Sequence, residues 1–155
     1  MPPKFEQLTR LTKQRQVIDE TLRLHPPLWF ISRMAKTDTS IAGYHIPEKS
    51  IVIIAPYTTH RHPDFWENPQ TFQPSRFAEG NTNKKHSHAY FPFLGGRHIC
   101  IGNQFAMMKI QIILSMMLQR FKIEPVSDSS GIAEPGSTLR MKDSLLITAT
   151  KRQGA

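Results

Sequence analysis

One cysteine, Cys100, stands in 155 residues, so neither an internal disulfide nor a multi-cysteine zinc site can form. Acidic residues are also scarce: 12 Asp and Glu against 20 Lys and Arg, a formal net charge of +8. That balance brings an acidic partner, an anionic cofactor group or a nucleic acid into consideration. The cations run from Lys4 to Arg152 without massing on one helix, so no nucleic-acid partner is expected. There is no apolar run of about eighteen residues, and MPPKFEQLTR lacks the apolar centre of a signal peptide. No membrane segment is expected in this stretch, and its expected location is cytoplasmic. Gly-rich dinucleotide and flavin motifs, internal repeats and low-complexity tracts are absent too.

The residues that are there fall into distinct stretches. Between Phe5 and Leu24 no Gly or Pro intervenes, and Leu8, Leu11, Val17, Ile18, Leu22 and Leu24 draw an apolar stripe. One helix is expected there, stopped by His25, Pro26 and Pro27. From Leu28 to Tyr57 the pattern turns to short strands: LWFISRMA, a turn at Gly43, a second turn in YHIPEKS and the β-branched run IVIIA predict a small sheet. The stretch from Pro56 to Pro92 is rich in Pro, Asn, His and aromatics, with room for one short helical turn. A connection so long is either functional or part of something larger.

Asn103 is expected to cap a helix running to about Phe121. Its apolar residues, among them Phe105, Met108, Ile112, Met116 and Leu118, cover most of the circumference, so the helix needs burial on most sides. One other long helix and a few strands are too little cover. Residues 1–155 are therefore expected to form the C-terminal part of a single larger domain, with no boundary inside them. The tail, STLRMKDSLLITATKR, predicts a hairpin turning at Lys142 and Asp143.

Cys100 sits in FPFLGGRHICIG. A lone cysteine is often a small buried hydrophobe, but glycine is used where backbone must approach something closely or take a positive φ, and a simple core position needs neither. A nucleophile needs a base and an orienter. His98, two residues away in a looped segment, points away from a shared hydrogen bond, and no Asn or Asp is placed as third member. A third reading is a metal ligand. Ionising a thiol at neutral pH costs about 2 kcal/mol, of which a helix N-terminus returns about 0.3–1; coordination deprotonates the sulfur outright. The pairs His60/His62 and His86/His88 share no zinc-finger spacing with Cys100. One thiolate does suit haem iron, where the porphyrin fills four positions and the protein supplies an axial ligand.

These residues resemble the cytochrome P-450 family of haem-thiolate monooxygenases. Its cysteine loop reads F-x-x-G-x-[RH]-x-C-x-G, and Phe93, Gly96, His98, Cys100 and Gly102 fall on it in order. ETLRLHPP, with Glu20 and Arg23, is similar to the family's E-x-x-R on helix K; PSRF, with Pro74, Arg76 and Phe77, is similar to its later P-x-R-F. The resemblance spans about Leu8 to Lys151.

It implies a mixed α and β fold, mainly α: helix K, a small β-sheet, a meander, the cysteine loop, helix L and a terminal β-hairpin. It implies haem b (iron protoporphyrin IX) with Cys100 as the axial thiolate. Phe93 would then shield the sulfur, Gly96 and Gly102 would free backbone amides toward it, and His98, Arg97 and Arg33 would donate to propionates. Glu20, Arg23 and Arg76 would form a buried structural triad. Lys84, Lys85, Arg97 and Lys109 lie on or near the cysteine side, where an electron-transfer protein, a ferredoxin or a flavoprotein reductase, would dock. A small organic substrate would meet pocket wall at Leu28 to Ile31 and Glu134 to Thr138. The family's distal helix, a Gly followed by an acid–alcohol pair, has no counterpart in these residues. The expectation is thus oxygen insertion with an external electron donor or, alternatively, a truncated non-catalytic haem-binding remnant.

Overall fold

The structure, a computed structural model, describes residues 3–81, 86–126 and 131–152. The first helical segment is broken: α1 (Phe5–Leu8) ends and α2 (Thr12–Leu24) starts afresh, in place of one continuous helix. The Thr9 hydroxyl donates to the Glu6 carbonyl at 3.0 Å, and the Leu11 N–H turns back to the Leu8 carbonyl at 3.2 Å. These local bonds compete with the α-helical ladder and tighten its end. α2 then stops ahead of Pro26 and Pro27, with the His25 N–H on the Thr21 carbonyl at 2.7 Å.

The small sheet forms from β1 (Ile31–Met34) paired antiparallel with β4 (Ile51–Ile54), Ile31 opposite Ile54. Between them lies the hairpin of β2 (Thr39–Ile41) and β3 (Tyr44–Ile46), turning through Gly43 at φ +85°. YHIPEKS is therefore not a turn throughout. Its first three residues are strand β3, and the chain reverses only where the Ser50 N–H meets the Pro47 carbonyl at 3.1 Å. The meander holds α3 (Pro56–Thr59) and a 3-10 turn at Pro74–Phe77, more helix than the single turn expected. Each begins on a proline, whose fixed φ and missing N–H suit a first helical position.

α4 runs Asn103–Arg120, capped by Gly102 rather than Asn103. The Gly102 carbonyl accepts the first helical bond, from the Ala106 N–H at 2.8 Å, while the Asn103 side chain takes the Gln104 N–H. Met107 of α4 joins Ile18 and Leu22 of α2 in a buried core, with Phe93 and Leu114 packed against it. Among the described residues, the other buried positions of α4 are polar. Gln14 donates to the Gln111 carbonyl and to Ser115 Oγ, both at 3.1 Å, and the Gln111 amide reaches the Leu8 carbonyl at 3.5 Å. Phe105, Ile113, Met117 and Leu118 face outward. As expected from the shortage of cover, much of the helix's apolar circumference stays open among the described residues: it buries one line, Met107, Gln111 and Ser115, spaced four apart.

A hairpin forms near the end of the described residues, but not the one expected: the strands on either side of Lys142 and Asp143 do not pair with each other. β6 (Ala133–Pro135) pairs with β7 (Leu139–Met141), Glu134 opposite Arg140, so the reversal lies at Gly136–Thr138. The strand after Lys142 and Asp143, β8 (Ile147–Lys151), pairs instead with β5 (Phe121–Pro125), which follows α4 directly. Turn residues mark where a strand ends, but partners are set by what else the fold brings alongside. Among the described residues, no helix is long and apolar enough to cross a membrane.

Candidate functional site

α2 places Glu20 and Arg23 one turn apart on its buried side, both wholly out of solvent. Arg23 grips Glu20 with two bonds, Nε to Oε2 at 2.7 Å and Nη2 to Oε1 at 2.8 Å. The 3-10 turn adds Arg76, whose Nε reaches Glu20 Oε1 at 3.1 Å, and the Gln73 N–H, on the same oxygen at 2.8 Å. The rest of each guanidinium bonds main-chain carbonyls. Arg23 donates to those of His60, Pro69 and Thr71, and Arg76 to those of Glu67, Asn68 and Thr71. All five N–H donors of Arg23 are engaged, and its guanidinium stacks 5.0 Å from the Trp66 ring centre. Burial pushes the Glu20 carboxyl up, but the bonds from Arg23 and Gln73, the Arg23 charge and Arg76 outweigh it and hold it below the ordinary carboxylate value.

A second layer lies between this cluster and the cysteine loop. His60, buried, accepts the Phe91 N–H on Nε2 at 3.0 Å, so its remaining proton sits on Nδ1. Burial and the charges of Arg23 and Arg61 hold its pKa down at about 4, against the opposite pull of the Arg23 and Leu22 backbone. Tyr90 donates to the Asp19 carboxylate and carbonyl, each at 3.1 Å, and Arg15 reaches Asp19 at 2.8 Å. Burial, then the charge and hydrogen bond of Asp19, push the Tyr90 hydroxyl far up. Trp66, Phe77 and Tyr90 pack ring on ring beside it. Neither this layer nor the Gln14–Ser115 seam had been singled out in the sequence; the density of His and aromatics from Tyr57 to Phe91 was the only signal.

The loop itself is fixed at its ends. Phe93 packs on the Ile18–Leu22–Met107 core, and its carbonyl accepts the Cys100 N–H at 2.9 Å. Leu94 and Gly96 take φ +64° and +61°, the left-handed region that costs a leucine about 1–2 kcal/mol and a glycine almost nothing. Gly102 lies against the sulfur: a Cβ there would stand 3.8 Å from Cys100 Sγ. Cys100 is exposed, flanked by exposed Ile99, Ile101 and Phe105. Among the described residues, no group of three or more His, Cys, Asp or Glu is placed to hold a metal, and no hydrogen bond joins His98 to Cys100. The thiol has neither a base nor protein co-ligands there.

The structure thus brings Glu20, Arg23 and Arg76 together and sets Phe93, Gly96, Cys100 and Gly102 in one loop. His98 and Arg97 stand exposed on its short 3-10 turn. Arg33 is exposed on β1 with Nη1 on the Ser32 carbonyl, and no bond among the described residues joins it to the loop. Lys109 is exposed on α4, while Lys84 and Lys85 lie outside the described residues. The stretches Leu28 to Ile31 and Glu134 to Thr138 adjoin: Trp29 Nε1 donates to the Gly136 carbonyl at 2.8 Å, and the Leu139 N–H to the Pro27 carbonyl at 2.7 Å.

The family model described as cytochrome P-450 matches residues 1–148. The chain is 35% identical over 150 residues to probable cytochrome P-450 4p2 of Drosophila melanogaster, covering 96% of this chain and 29% of that protein. It is 35% identical over 154 residues to human cytochrome P-450 4V2, covering 99% and 29%. Among solved structures, the heme domain of cytochrome P-450DA superposes with a TM-score of 0.91 at 28% identity, covering 99% of this chain and 34% of that one. The chain spans about a third or less of the length of these relatives.

Proposed function

The chain belongs to the cytochrome P-450 family, and on that premise we propose that it is a haem-binding portion of a monooxygenase, with Cys100 as axial thiolate to the iron. The observation that carries this reading is the bare sulfur: a thiol presented on a fixed loop, between exposed Ile99 and Ile101, with no metal-holding protein cluster among the described residues. Such a thiol suits a flat apolar macrocycle that brings four ligands of its own. The solved relative named as a heme domain supports the same cofactor. When bound, haem supplies the activation of dioxygen and the insertion of one oxygen atom into a small organic substrate, with electrons from a ferredoxin or flavoprotein reductase.

The chain's own residues hold and orient. Phe93 keeps the loop on the core, and its carbonyl, bonded to the Cys100 N–H, sets where the sulfur stands. Gly102 leaves the sulfur's flank open, since a side chain there would touch it. His98 and Arg33 serve as propionate donors, and the Glu20–Arg23–Arg76 cluster fixes the platform underneath. Exposed Arg97 and Lys109 support docking of an acidic electron donor on this side, and the joined stretches around Trp29 and Gly136 support a substrate wall. Action in the cytoplasm is part of the proposal and is tested by cell fractionation.

A second reading, a haem-binding remnant without catalysis, rests on residues 1–155 themselves, which hold no counterpart of the family's Gly and acid–alcohol pair. Haem added to the purified chain, then reduced and saturated with carbon monoxide, tests the first step common to both. The red-shifted thiolate band is expected, and its survival in Cys100→Ala would overturn the ligand assignment. Turnover of substrate by the same preparation, with a reductase supplied, separates the two readings.

A further inference from the structure

The cluster and the cysteine loop are built from different parts of the chain, yet one residue touches both. Arg23 Nη1 holds the His60 carbonyl at 2.8 Å, and His60 Nε2 holds the Phe91 N–H at 3.0 Å. From Phe91 onward the loop is bonded internally: its carbonyl accepts the Leu94 N–H at 3.0 Å, and the Phe93 carbonyl accepts the Cys100 N–H at 2.9 Å. His60 is fully buried, its ring edge-on to Phe91 at 5.1 Å and tilted against Tyr90 at 5.3 Å. We propose that His60 is a positioning residue for the cysteine loop: its imidazole transmits the fixed geometry of the Glu20–Arg23–Arg76 cluster to Phe91 and, through the loop's own bonds, to the direction of the Cys100 sulfur.

The chemistry selects the residue. A backbone N–H at the entry of a loop needs an acceptor if it is partly buried, and leaving it unpaired disfavours that loop geometry. The acceptor must also be rigid and short of solvent. An imidazole clamped between two aromatic rings, with its own carbonyl held by a fully engaged arginine, meets both conditions. His62, two residues on, is exposed and bonds locally to the Asp64 N–H, so the two histidines of one short motif have separate roles.

The placing of the loop stands on these bonds alone; its consequence for the sulfur as a haem ligand rests on the reading above. Two substitutions separate acceptor from bulk. His60→Gln keeps an acceptor near the Nε2 position, whereas His60→Phe keeps the ring and removes the acceptor. Amide hydrogen exchange in the haem-free chain is expected to quicken about tenfold at Phe91 in His60→Phe, to quicken at Cys100 as well, and to return toward the parent rate in His60→Gln. Amides of α4 near Met107 serve as the global control. In the haem-loaded chain, the reduced carbon-monoxide spectrum of His60→Phe should lose thiolate band relative to the parent and His60→Gln should keep it.

Unchanged exchange at Phe91 in His60→Phe, or failure of His60→Gln to restore it, would overturn the proposal. So would quickened exchange accompanied by a full thiolate band. If His60→Phe does not fold, His60→Asn, too short to place an acceptor at the same point, takes its place. A parent chain without any thiolate band refutes the haem reading, while the exchange measurement still decides the role of His60.

Discussion

The Glu20 carboxylate is fully buried and accepts four hydrogen bonds, whereas the Cys100 sulfur stands exposed and accepts none among the described residues. Around Glu20, guanidinium groups from α2 and the 3-10 turn are held by main-chain carbonyls on several sides. Around Cys100 the loop has a carbonyl bond to the Phe93 anchor and residues at positive φ. The chain concentrates its densest bonding around Glu20 and leaves the Cys100 sulfur bare. On the proposed reading of Cys100 as a ligand, rigid support beneath it would aim the side chain at a metal without the protein consuming it.

The hardest test of that contrast is Glu20→Gln. It leaves Arg23 and Arg76 buried without their counter-charge, and breaking a buried pair in this way costs about 3–5 kcal/mol. A urea titration of the chain should show the midpoint falling accordingly. A surface pair such as Lys122–Glu124, both partners exposed, is the comparison: Glu124→Gln should change stability by less than about 1 kcal/mol. A loss below about 1 kcal/mol in Glu20→Gln would mean that the cluster is not the platform described here.

Acid should undo the platform next. His60 is held neutral by burial with a pKa near 4, below the ordinary histidine value of 6.5. Between those two values the unfolded chain binds the extra proton, so stability rises with pH across that window and falls as pH drops through it. The full span corresponds to roughly 3 kcal/mol, with about 2 of it already lost by pH 5. Glu20, held below its ordinary value, acts in the same direction at lower pH: its contribution is present above the ordinary carboxylate range and is lost as pH falls through the native value. Urea midpoints measured from pH 7 to pH 4 should fall steadily in the parent, and His60→Gln should flatten the upper part of that curve. A parent curve already flat from pH 6.5 to 5 would remove the buried neutral imidazole.

Motifs with fixed spacing were readable from residues alone. Glu20 and Arg23 stand one helical turn apart, PSRF carries Arg76, and the cysteine loop has its glycines in register, so the resemblance named the residues that the fold assembles. It did not reveal what holds them, because the partners of Arg23 and Arg76 are mostly main-chain carbonyls, which have no signature in a sequence. His60 and His62 looked alike for the same reason: burial, which separates them, depends on where the meander crosses α2. The break at Thr9 turned on one hydroxyl bond, and the strand after Asp143 on a partner that lies before Ala133 in the chain. In helix α4 the shortage of cover was legible from its apolar circumference, but the line buried here was not: it runs along Met107, Gln111 and Ser115, and two of these are polar.

The smallest effects lie within the loop and ask whether its bareness is built into the backbone. Gly96, at φ +61°, should lose about 1 kcal/mol on replacement by alanine from backbone strain alone. Gly95, at an extended φ of −155° with open space where a Cβ would stand, should lose almost nothing. Equal losses at both would mean that the loop is free to readjust and does not aim the sulfur. Gly102→Ala completes the series. Its φ of −86° suits any residue, and the added methyl carbon would stand 3.8 Å from Cys100 Sγ, ordinary contact, so stability should stay within about 0.5 kcal/mol of the parent. Alkylation of the thiol by iodoacetamide should nonetheless slow in Gly102→Ala and not in Gly95→Ala, because only the former covers part of the sulfur. Equal alkylation rates in the two variants would mean that Gly102 keeps no space open at Cys100, and that the loop's openness there comes from Ile99 and Ile101 standing away from the core.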